Sequence, residues 1–80
     1  MVAPPDGPEP DDVVILLRRT ADGPLFVVAR ASDPQIRYDT YVDAERHARL
    51  TAAQLGVNLW YARDGQPSEL VAKYRPSQRA

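Results

Sequence analysis

Eighty residues with no Cys, a single His and a formal net charge of −1 make one small domain and exclude a disulfide scaffold. A core of this size supplies only about 3–5 kcal/mol, so packing must carry the stability and oligomerisation would be a natural supplement. The longest apolar run, Val13 to Leu17, is too short to span a bilayer, and no basic-then-apolar stretch opens the chain as a secretory signal would. The expectation is a soluble, cytoplasmic protein with no membrane contact.

Residues 1–12, MVAPPDGPEPDD, hold four of the eight prolines and Asp6, Glu9, Asp11 and Asp12. Little there can offset the entropy of ordering, so this segment reads as a disordered acidic leader. The remainder carries ten basic against seven acidic residues. Nine of the ten bases are Arg, which compositional bias explains more simply than selection for bidentate anion contacts.

Val13 to Leu17 is β-branched and continuous, a strand with both faces at least partly covered. Thr20-Ala21-Asp22-Gly23-Pro24 is turn chemistry, and Leu25 to Ala29 forms a second strand, antiparallel to the first. Pro34 breaks that strand. Ile36 to Tyr41 alternates loosely and reads equally as a short edge strand or a closing loop.

A helix follows, capped by Thr40 or Asp43 and ended by Gly56 in the left-handed region. Ala44, Ala48, Thr51 and Leu55, with Ala52 beside them, share one narrow stripe. So small a stripe brings the helix backbone close to a sheet and leaves Leu55 and Tyr41 to carry most of the burial. Val57 to Arg63 is a third strand, with Val57, Leu59 and Tyr61 on one face and Asn58, Trp60 and Ala62 on the other. Asp64 to Pro67 turns the chain, and Glu69 to Tyr74 supplies a fourth strand. The fold class is therefore α+β, in the order β-β-α-β-β. A mainly antiparallel three- or four-stranded sheet carries one helix on one face. The domain spans 13–75 and a frayed tail 76–80 ends it.

The chemistry-bearing residues are few. Nucleophilic catalysis needs a nucleophile, a base and an orienting group. Ser32, Ser68 and Ser77 fall in loops or tail. His47 stands on the helix between Arg46 and Arg49, one turn after Asp43, where a partly buried structural role is the simpler reading. The acids take no calcium-loop spacing, a lone His makes no transition-metal site, and no Gly-rich phosphate loop opens a helix. The expectation is a protein that is not an enzyme and takes no cofactor or metal.

Two binding readings remain. One helix covers one sheet face, while the first two strands are apolar at successive positions, so a second apolar face needs cover. Phe26, Val28, Trp60 and Ala62 are the candidate interface for a homodimer or another protein partner, the homodimer being the better relief for a small core. Alternatively, Arg30, Arg63, Lys73 and Arg75 with nearby aromatics could hold single-stranded nucleic acid. The ordered part is only mildly basic, and strand-end arginines also serve to discourage edge pairing, so the protein-interaction reading is preferred.

The hairpin, the Ala-striped helix and LGVNLWYARDG running into a further strand resemble small uncharacterised bacterial proteins with a strand–strand–helix–strand layout. The resemblance covers roughly Val13 to Arg75. It implies no activity, and no functional residue is carried over from it.

Overall fold

The computed structural model describes residues 8–30, 33–63 and 65–75. Five strands and one helix follow in the order β1 (Val13–Thr20), β2 (Gly23–Arg30), β3 (Asp33–Tyr38), α1 (Tyr41–Leu55), β4 (Leu59–Ala62) and β5 (Glu69–Ala72). They form one sheet in the order β3-β2-β1-β4-β5. β1–β2, β2–β3 and β4–β5 are antiparallel, and β1–β4 is parallel. The α+β class and the single helix on the sheet are as expected. The three- or four-stranded, mainly antiparallel sheet is corrected to a mixed sheet of five strands.

The extra strand explains the parallel pair. Residues 33–38 pair with β2 and so continue the meander outward to the sheet's edge. α1 must then carry the chain back across β2 and β1, and β4 arrives on the far side of β1 running parallel to it. Pro34 is tolerated because β3 is an edge strand.

The hairpin is tighter than the turn signal implied, because only Ala21 and Asp22 separate the strands. Thr20 Oγ1 donates to Gly23 O at 2.7 Å and accepts from Asp22 N–H at 3.2 Å. Gly23 takes φ +121°, a region L side chains avoid. Pro24 lies inside β2, opposite Arg19. Its missing N–H costs nothing there. Val13 N–H donates to Asn58 O on the β4 side, so odd-numbered β1 residues turn their backbone away from β2. Pro24 therefore turns its own backbone toward the β3 side, where pairing begins only at Phe26↔Tyr38.

Thr40 caps α1 with extended backbone, its hydroxyl accepting from Asp43 N–H at 3.3 Å. Gly56 ends it at φ +68°. Gly56 N–H donates to Ala53 O at 3.3 Å and Val57 N–H to Ala52 O at 3.0 Å, the pair of bonds that closes a Schellman turn. Ala44, Ala48 and Ala52 are fully buried and pack with Val13, Ile15, Val28, Val57 and Leu59 in the core. Leu55, expected to anchor the stripe, is instead 47% exposed. It has the right angle around the helix but is the last helical residue, and Val57 takes the space beneath that turn. Tyr41 does anchor the other end, edge-on to Phe26 at 5.9 Å and to Tyr61 at 5.0 Å. Burial first, and then the neighbouring Glu45 carboxylate, raise the Tyr41 pKa.

Candidate interaction surface

The sheet face turned away from α1 follows from alternation. Val13, Ile15, Val28 and Leu59 meet the helix, so their chain neighbours point the other way. Register then arranges those neighbours in rows. Ala29, Val14, Trp60 and Leu70 form one row across four strands. Arg37, Val27, Leu16 and Ala62 form the next, and Leu25 with Arg18 a third. The two long rows are apolar apart from Arg37. A groove of 420 Å³ lies over this face, floored by Val14, Leu16, Ala29 and Ala62 and walled by Pro8 and Pro10. Leu70 is 45% exposed at its β5 edge.

Trp60 belongs to this face yet is only 7% exposed, and Asp12 holds it there. Asp12 is itself buried. Its Oδ2 accepts from Trp60 Nε1 and from Glu9 N–H, each at 3.0 Å. Its Oδ1 accepts from Asn58 N–H at 3.0 Å and from the Arg75 guanidinium. Burial pushes the carboxyl pKa up, but the backbone donors of Glu9 and Asn58 with the Arg75 and Trp60 bonds outweigh it, and the net shift is downward. Arg75 also bonds Asp11 at 3.0 Å, and its N–H donates to Asn58 Oδ1 at 3.1 Å. One carboxylate thus ties residues 9–12 to the start of β4 and the end of β5. Of the expected leader, residues 1–7 lie outside the described residues. Residues 9–12 form a turn closed by Asp12 N–H donating to Glu9 O at 3.0 Å.

The four apolar candidates do not share a surface. Trp60 and Ala62 lie on the open face, in adjacent rows. Phe26 and Val28 lie on the helix face, Val28 in the core and Phe26 packed against it. The four basic candidates are likewise dispersed and mostly engaged. Arg75 is held by Asp11 and Asp12, and Arg63 by Glu69 at 2.7 Å while it stacks over Tyr61. Arg30 Nε donates to Asp11 O at 3.1 Å, and Lys73 is exposed beyond the end of β5.

His47 is half-buried, and its Nδ1 lies 2.8 Å from the Tyr38 hydroxyl on β3. Asp43 pairs instead with Arg46 at 3.8 Å. Among the described residues no three His, Asp or Glu side chains gather as a metal site would require. No described helix is long and apolar enough to cross a membrane.

Sequence reasoning passed over Asp12 because it sits in an acidic, proline-rich stretch. Apart from Glu9, its partners lie 46, 48 and 63 residues away, so no local pattern could have pointed to those contacts. The only hint is an acid directly preceding a β-branched strand. No protein-family model, curated protein or solved structure matches this chain.

Proposed function

We propose that this protein is a non-enzymatic interaction module that self-associates through the sheet face opposite α1. The observation that carries this reading is the pair of adjacent apolar rows, Ala29–Val14–Trp60–Leu70 and Val27–Leu16–Ala62, on a face with no helix above it, where Val27 and Trp60 are buried and Val14, Leu16, Ala29, Ala62 and Leu70 keep accessible surface. Contiguous apolar surface of this kind marks interaction sites. A two-fold axis through the face would set each row against its copy and enlarge a core that is small for a lone domain.

Light scattering across a dilution series is the test, with a dimer expected at micromolar protein. Leu16→Glu and Ala62→Arg place charge in the middle of the rows and should yield monomers with unchanged far-UV circular dichroism. Phe26 cannot serve in this test, since its truncation would damage the helix-side packing. A wild-type protein that stays monomeric at every concentration refutes self-association.

A further inference from the structure

The last four residues of β1 have a strand on one side only. β1 pairs with β2 along almost its whole length, but its register with β4 ends at Leu16↔Ala62. The backbone direction follows from the bond between Val13 N–H and Asn58 O at 3.0 Å. Both polar groups of a strand residue point to the same side, and the side alternates along the chain. Ile15, Leu17 and Arg19 therefore aim theirs into the β4 lane, and Arg19 lies beyond the end of β4.

That lane is open. A cleft of 370 Å³ lies in it, lined by Leu16, Leu17, Arg18, Arg19, Ala62 and Arg63. Arg18 and Arg19 are exposed, and neither forms an ion pair among the described residues. By alternation Arg18 stands on the open face and Arg19 on the helix face, the face on which Arg63 stacks over Tyr61.

We propose that this lane receives an extended acidic peptide segment of a partner protein, which adds a short strand to β1 beyond the end of β4. Strand addition uses main-chain hydrogen bonds for affinity and alternate side chains for specificity. Two consecutive acids in an added strand point to opposite faces, one toward Arg18 and the next toward Arg19. A compact anion could reach only one of these faces at a time, whereas an extended chain engages both. The backbone groups of Arg19, which face no strand among the described residues on this side, would gain partners, and the floor of Leu16, Leu17 and Ala62 gives apolar flanking residues a place to lie. The cleft shares Leu16 and Ala62 with the self-association face, so the two readings are separated by Arg19, which lies on the opposite face.

The test titrates the ¹⁵N-labelled full chain with the blocked hexapeptide Thr-Val-Asp-Asp-Val-Thr, at low salt and again at about 0.15 M. Saturable amide shifts are expected at Leu17, Arg19 and Arg63, with slowed hydrogen exchange at Arg19 and weaker binding in salt. Arg19→Glu, on the face away from the dimer rows, should weaken binding roughly fivefold or more. It should leave the light-scattering mass unchanged. A peptide N-methylated at its central amides should lose binding. The proposal is overturned by an unshifted Arg19 amide, by equal binding of a Lys-Lys peptide, or by displacement with equimolar inorganic phosphate. Undiminished binding of the N-methylated peptide overturns it too, since the contact would then be charge alone.

Discussion

Replacing Asp12 by Asn preserves its shape and removes half of its hydrogen-bond acceptance. Each carboxylate oxygen accepts two donors, Asn58 N–H and Arg75 at one, Trp60 Nε1 and Glu9 N–H at the other. An amide has a single acceptor oxygen, so in either orientation its NH₂ faces two N–H donors. The less costly orientation keeps the carbonyl toward Asn58 and Arg75. Trp60 Nε1 is then left buried and unpaired at a cost of about 1–3 kcal/mol, while Glu9 lies at the surface where water can reach its N–H. The bond from Arg75 persists to a neutral oxygen, and the loss of its charge assistance adds about 1 kcal/mol. The sum, about 2–4 kcal/mol, is most of what a core of this size supplies. Urea unfolding followed by Trp60 fluorescence measures the change, and the single Trp makes the signal specific to the site. Asp11→Asn is the control, since its exposed pair with Arg75 should be worth less than about 1 kcal/mol. An Asp12→Asn midpoint within error of the parent would refute the reasoning.

The same carboxylate sets a pH dependence. Its folded-state pKa is lowered, so its contribution is complete above the unfolded-state value of about 4 and is lost as pH falls through the folded one. Urea midpoints should therefore hold steady from neutrality down to about pH 5 and then decline, more steeply in the parent than in Asp12→Asn. Ala48→Leu should lose about 1–3 kcal/mol by forcing the helix off the sheet, and thermal unfolding at parental temperature would show that Ala48 does not face it. Gly56→Ala meets no atom within 4 Å, so any loss reports backbone conformation alone. At φ +68° this should be about 1 kcal/mol, and no change in the melting temperature would contradict it.

Much of the framework was legible in the sequence. The hairpin, the Thr40 cap, the alanine stripe and the Gly56 stop are local devices, each written within a few residues, and each forms, though the hairpin is tighter than read and the stripe lacks its Leu55 anchor. Strand ends were less legible. Pro24, read as part of the turn, lies inside β2, its backbone pointing where no ladder is formed at that position. Ile36 to Tyr41 was ambiguous because β3 pairs on one side only and alternates weakly. The parallel β1–β4 pair could not be seen without β3, since only a strand at the far edge makes the helix cross over. Leu55 shows that an apolar periodicity fixes the angle of a residue but not whether the sheet extends beneath it. The division of Phe26 and Val28 from Trp60 and Ala62 between two faces depends on register, which composition does not encode.

The central position of β1 has a consequence for how the chain acquires its shape. Its pairing with β2 needs only a two-residue turn and can form within microseconds of both strands being available. Its other edge must wait for β4, and Asp12 waits longer still for Trp60, 48 residues on, and Arg75, 63 residues on. Closing such separated pairs is the slow part of folding for mixed sheets. During synthesis, β1 therefore presents a bare edge from Val13 onward, lined by its most apolar residues, and that edge is open to mispairing. The nascent chain keeps a finished hairpin with one unprotected side until β4 pairs along Val13–Leu16.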